Sequence, residues 1–152
     1  MMGTSCPHPL LSLDRHCVPC YCCGMNTCPC GTKNSYLTCC GKYLEGGAFA
    51  PTPEALMRSR YTAFVKNNLD YIERTMKGPA LSRYQFQGTK SATVEWCGLE
   101  VLKATQNQQT NSGTVEFIAR YYSDGADGFM HEKSQFQFDG QQWFYIDGEW
   151  VD

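Results

Sequence analysis

The chain has no long apolar run, no block of one charge and few histidines. Its 152 residues carry 13 Lys+Arg against 15 Asp+Glu, for a net charge of −2. Near balance, with the basic residues scattered, argues against a protein whose main work is gripping phosphate backbones. No stretch approaches the length needed to span a bilayer, so membrane contact has no support. A secretory signal is also missing. Asp14, Arg15 and His16 interrupt the sole apolar candidate, Leu10 to Leu13, and the expected location is the cytoplasm. Internal repeats, a phosphate-binding glycine loop, an HExxH pair and a Ser-His-Asp pattern are all lacking. Cysteine is nearly absent after residue 40: of ten cysteines, only Cys97 lies beyond it. A lone strand cysteine of this kind reads as a small buried hydrophobe.

The remaining cysteines crowd the first third of the chain. Cys28-Pro29-Cys30-Gly31 is followed, after a short spacer, by Cys39-Cys40-Gly41. Four thiolates at this spacing can close a tetrahedral shell around one cation, and zinc is the expected cofactor. Gly31 and Gly41 suit a backbone that turns tightly with positive φ. The competing reading, two structural disulfides, belongs to small secreted domains; a chain without a signal keeps its thiols reduced, and clustered cysteines then read as metal ligands. The segment CPCGTKNSYLTCCGKY resembles the SEC-C motif in all four ligands and both glycines. Upstream, Cys17, Cys20, Cys22 and Cys23 form Cys-x-x-Cys-x-Cys-Cys, with His8 and His16 nearby. Those thiols read as a second metal site, as incidental groups on a tail with too few apolar residues for a core, or as ligands that exchange with the main site.

Beyond the knuckle, Gly46 to Pro51 reads as a linker. Thr52 is a candidate N-cap, Pro53 suits the first helical position, and Glu54 complements the dipole. Met57, Tyr61, Phe64 and Val65 give a helical stripe. A second helix is expected from Leu69 to Met76, with Asp70 and Arg74 paired and Gly78-Pro79 as its stop. Thr93 to Lys103, Thr114 to Tyr122, Phe129 to Phe138 and Gln142 to Asp147 read as strands, and Asp139-Gly140 as a hairpin turn. Helices followed by a strand meander imply an α+β fold with the sheet curled over the helices. The expected organisation is a Cys-rich tail over 1–25, a knuckle over 26–45 and an α+β domain over 46–152.

The order CPCG…CCGKY, APTPEALMRSRYTAF, DYIERT, VEWCGLEV, VEFIARYY, HEKSQF and WFYIDG is similar to the YchJ-like family of small bacterial proteins. The resemblance implies a nuclear transport factor 2-like cone, helices packed in a curved antiparallel sheet, after a zinc knuckle. It does not extend to the tail and carries no activity.

Cones of this fold enclose a cavity. Strand alternation places Glu132, Ser134, Phe136 and Phe138 on one face, Val115, Phe117, Ala119 and Tyr121 on another, and Trp143, Tyr145 and Asp147 on a third. Arg60 shares the apolar helix face and would need a carboxylate, with Glu132 the first candidate. The candidate pocket is therefore Arg60, Tyr61, Phe117, Glu132, Ser134, Phe136 and Tyr145. The favoured reading of these residues is structural, an Arg60–Glu132 ion pair locking helix to sheet, with the ligand pocket as the functional alternative. His131 falls on the outer face, where it reads as solvated. With no histidine inside, no residue is assigned a catalytic role. The leading expectation is a non-catalytic zinc protein acting as a binding or adaptor module with a protein partner. The alternatives are a small-ligand binder or enzyme using the cone, and an RNA or ribosome contact through Lys33, Tyr36, Lys42 and Tyr43. Homodimerisation through the outer sheet face is also open.

Overall fold

The computed structural model describes residues 27–87 and 94–152. The knuckle comes first: a 3₁₀ turn at Tyr36–Thr38 leads into the short helix α1, Gly41–Leu44. Helices α2 (Pro53–Val65), α3 (Leu69–Arg74) and α4 (Gly78–Gln87) follow. Strands β1 (Glu95–Asn107), β2 (Ser112–Ser123), β3 (Ala126–Phe138) and β4 (Trp143–Trp150) complete the chain. They form one antiparallel meander in the order β1-β2-β3-β4. No helix among the described residues is long and apolar enough to cross a membrane.

The start of α2 follows its sequence signals. Thr52 Oγ1 accepts the Ala55 N–H at 3.0 Å, and Pro53 opens the first turn. Asn67, in the left-handed region at φ 57°, ends the helix, and the Asn68 side chain accepts the Tyr71 N–H at 3.1 Å to start α3. The expected Asp70–Arg74 pair forms at 3.5 Å. One expectation fails here. Gly78-Pro79 does not stop α3, which ends at Arg74 with Thr75 as its C-cap; it opens α4. Proline lacks only an N–H that a first turn leaves unused anyway, so a dipeptide that reads as a stop can equally be a start.

α2 is buried more widely than an amphipathic stripe requires. Leu56, Met57, Ser59, Arg60, Tyr61, Thr62 and Ala63 are all buried, whereas Phe64 is 40 % exposed. The reason is position: the helix has the knuckle on one side and the sheet on the other.

The inner faces of β2 and β3 match the alternation, whereas on β4 the adjacent Trp143 and Phe144 are both buried, so alternation does not sort that strand. Val115, Phe117, Ala119, Ser134, Phe136 and Trp143 are buried. Register shifts at Trp96/Gly98, Val101/Lys103 and Gln135/Phe136 mark bulges, which bend and twist strands and so curve the sheet over the helices. A two-residue turn, Asp124-Gly125, joins β2 to β3 with both residues at positive φ, the backbone that matches strand twist. At the β3–β4 turn, the Asp139 carboxylate accepts the N–H groups of Gln141 and Gln142, both at 2.8 Å. Cys97 is half-buried in β1 rather than sealed in the core.

Candidate metal centre and cone cavity

The thiol cluster is built from local geometry. Thr27 and Ser35 form an antiparallel bridge, and the Cys28 N–H donates to the Asn34 carbonyl at 2.7 Å. This folds Cys28 and Cys30 back towards the second pair. Gly31 has φ 90°, as expected. Gly41 does not take positive φ. It begins α1, and a Cβ there would lie 2.7 Å from the Tyr36 carbonyl oxygen. Close approach, not backbone hand, is what requires glycine at that position.

The Sγ atoms of Cys28, Cys30, Cys39 and Cys40 all lie within 4.8 Å of one another. Sulfurs around a tetrahedral zinc, at Zn–S of about 2.3 Å, sit about 3.8 Å apart. Cys30 and Cys39 already approach to 3.6 Å. Cys28, Cys30 and Cys40 are buried and Cys39 half-buried. The donor set is all sulfur and fits a thiophilic cation. Four thiols this close cannot all ionise by themselves. Hydrogen bonds from Cys30 and Cys40 hold the Cys28 thiol far below its ordinary range. Its neighbour Cys28 in turn pushes Cys30 up to about 11, and Cys28, Cys30 and burial raise Cys40 further still. A divalent cation removes this conflict, because thiolates are the ligating form.

The knuckle is clamped to α2 by residues the sequence reading did not single out. Arg58 Nη1 donates to the Cys30 carbonyl at 2.6 Å, while its Nε pairs with Glu54 at 3.3 Å. Thr62 Oγ1 lies 3.7 Å from Cys28 Sγ. Lys66 Nζ stands 4.1 Å above the Tyr36 ring. The one signal available was spacing: Arg58, Thr62 and Lys66 recur every four residues on one helix face. The upstream group Cys17, Cys20, Cys22 and Cys23 lies outside the described residues.

A cavity of about 310 Å³ lies between the helices and the sheet. Of the predicted pocket, Arg60, Tyr61, Phe117, Glu132, Ser134 and Tyr145 line it, but Phe136 does not. Phe136 is buried and meets Tyr145 edge-on, with ring centroids 5.8 Å apart. Lining residues not anticipated include Phe64, Tyr84, Trp96 and Met130.

The expected Arg60–Glu132 ion pair is not formed. Arg60 Nη1 donates to the Ile72 carbonyl at 2.8 Å and to Thr75 Oγ1 at 2.6 Å. Its guanidinium stacks 4.7 Å from the Tyr145 ring centroid. Glu132 Oε1 instead accepts from Ser134 Oγ and from Tyr145 OH, each at 2.8 Å. Tyr145 thus stands between the two charges. Burial lowers the Arg60 pKa to about 10, and burial with Glu132 beside it raises that of Tyr145. His131 is not simply solvated either: its Nε2 lies 2.8 Å from Glu116 Oε1 on the neighbouring strand.

This architecture has relatives. A family model described as YchJ, middle NTF2-like domain, matches residues 52–148. UPF0225 proteins of Bordetella pertussis and Bordetella bronchiseptica are 42% identical over 124 residues, covering 80% of this chain and 91% of theirs. The solution structure of a SEC-C motif containing protein from Rhodopseudomonas palustris superposes with a TM-score of 0.73 at 35% identity, covering 83% of this chain and 99% of that one. A crystal structure of a SEC-C motif containing protein from Psychrobacter arcticus gives 0.64 at 27% identity, covering 84% of each chain. Matched along its cone and again across four-fifths of its length, the chain belongs to the YchJ (UPF0225) family of SEC-C, NTF2-like proteins.

Proposed function

We propose that this protein binds one zinc ion through Cys28, Cys30, Cys39 and Cys40 and serves as a non-catalytic binding module with the knuckle as its docking end. The observation that carries the reading is the closed all-sulfur donor set, with three of four cysteines buried. A catalytic zinc keeps a coordination position open for water or substrate, whereas four protein ligands make a structural site. No histidine among the described residues lines the cone cavity, which leaves the most common acid–base group absent there.

A protein partner suits the knuckle better than RNA does. Leu37, 69 % exposed, and Phe49 present apolar side chains to solvent. Cations already sit over the knuckle's rings, its own Lys42 on Tyr43 at 5.1 Å and Lys66 from the end of α2 on Tyr36, so neither ring offers both faces to a base. A steep salt dependence of RNA binding would favour the nucleic-acid reading instead.

Metal analysis of the purified full chain is the direct test. The expected result is one zinc per chain, lost in Cys39→Ser and Cys40→Ser and kept when the four upstream cysteines, Cys17, Cys20, Cys22 and Cys23, are all replaced by serine. Full zinc stoichiometry in Cys39→Ser and Cys40→Ser proteins lacking residues 1–25 would overturn the assignment.

A further inference from the structure

We infer that the cone cavity is a binding site for a small apolar, ring-bearing molecule. Its polar end is a neutral group, a carboxamide or a similar donor–acceptor pair, that accepts from Arg60 and donates to Glu132. This stands apart from the zinc reading, because the two sites share no ligating residue.

Arg60 is the starting observation. It is 4 % exposed, and among the described residues no carboxylate lies within ion-pair distance of it. A guanidinium has five N–H donors. The protein acceptors found among the described residues both belong to Nη1, so Nε and Nη2 remain for something else at the cavity wall. Glu132 is the complement. Oε1 takes both Ser134 and Tyr145, and Oε2 has no partner among the described residues. Among the described residues the Tyr36 hydroxyl is the one sealed side-chain atom without a partner, so these atoms of Arg60 and Glu132 are reached from the cavity they line, where a ligand can use them.

Tyr145 holds the two groups in place, its ring against Arg60 and its hydroxyl on Glu132. The positions are therefore set before any ligand arrives, which lowers the cost of binding. Charge then selects the ligand. An anion that met Arg60 would also face Glu132, and a cation that met Glu132 would face Arg60. A neutral group with one acceptor and one donor satisfies both. The rest of the cavity is apolar: Met57, Phe64, Trp96 and Met130 would pack on a ring system. Phe64, exposed on its outer side, marks the mouth.

The test uses the zinc-loaded full chain and four probes that share one ring system: 2-naphthamide, 2-naphthoate, 2-naphthylmethylammonium and naphthalene. Calorimetry and two-dimensional NMR follow binding. The expected result is one site per chain that takes 2-naphthamide roughly tenfold or more tighter than the other three, since charge-assisted hydrogen bonds distinguish them. Ala119→Leu, which adds carbons to a cavity wall, should abolish binding. Glu132→Gln removes the negative charge and should reorder the probes, with 2-naphthoate gaining roughly tenfold or more relative to the wild type. If Ala119→Leu does not fold, the Glu132→Gln arm decides alone. Equal binding of all four probes, binding of none, or an unchanged order in Glu132→Gln would each overturn the inference.

Discussion

Arg60 keeps its charge in the interior by leaning on neutral groups. The Ile72 carbonyl and the Thr75 hydroxyl accept from it, and the Tyr145 ring faces it. Glu132 reaches the same tyrosine from the other side. A double-mutant cycle separates contact from proximity. Tyr145→Phe with Glu132→Gln should show a coupling energy of about 0.5–3 kcal/mol, as expected for hydrogen-bonded neighbours. Arg60→Met with Glu132→Gln should couple less, since the link runs through Tyr145. Chemical denaturation measures both cycles, and a stronger Arg60–Glu132 coupling would restore a direct ion pair. Two tyrosines illustrate the same rule in other settings. Burial raises Tyr71 to about 12 even though its hydroxyl meets Ser59 Oγ at 2.6 Å. Burial does the same to Tyr36, with Glu45 nearby adding to the shift.

Helix α2 is the element that joins the two sites. One turn carries Arg58, which holds the Cys30 carbonyl, and Arg60, which faces the cavity. Burial on both sides explains why its apolar residues do not form a clean stripe. Arg58→Met removes a charge-assisted hydrogen bond to the knuckle backbone while leaving every cysteine in place. Bonds of this type contribute about 1.5–3 kcal/mol, so zinc affinity should fall roughly tenfold or more. Competition with a chromophoric chelator reads this out. Affinity equal to that of the wild type would mean that the knuckle holds its geometry without the clamp. α4 depends on docking in a different way: Arg83 pairs with Asp147 of β4, and Asp147 is held below the usual carboxylate range chiefly by that hydrogen bond.

Across the whole molecule, the buried side chains form one continuous cluster from Cys28, Cys30 and Cys40 through Leu56 and Tyr61 to Phe117 and Phe136. The knuckle therefore contributes to the same core as the cone. Residues 48–152 still contain α2, α3, α4 and all four strands, enough for a core of their own. That fragment should unfold cooperatively, but at a midpoint roughly 5–15 °C below that of the zinc-loaded chain, a shift corresponding to a few kcal/mol. Stripping zinc from the full chain with a chelator should move its midpoint towards that of the fragment, since a ligand of the native state stabilises it by mass action. Thermal scans of the three samples check this. A molten or insoluble fragment would show that the cone cannot stand alone.

Features encoded over short stretches of chain were legible in the sequence. The cysteine spacing picked out four thiols that fold together within one local turn structure and could hold a metal. Thr52-Pro53-Glu54 marked the start of α2 to the residue, and strand alternation sorted Val115, Phe117, Ala119, Ser134 and Phe136 to the inside. Local hydrogen bonds and side-chain periodicity carry that information. Tertiary structure alone decided which distant groups meet. Arg60 and Glu132 each line the cavity as their faces predicted, yet Tyr145 stands between them, its ring against Arg60 and its hydroxyl on Glu132. α4 stayed hidden because Gly78-Pro79 is compatible with a helix end or a helix start, and its docking on β4 chose between them. Charge partners, cavities and clamps such as Arg58 depend on positions dozens of residues apart, and only packing sets those.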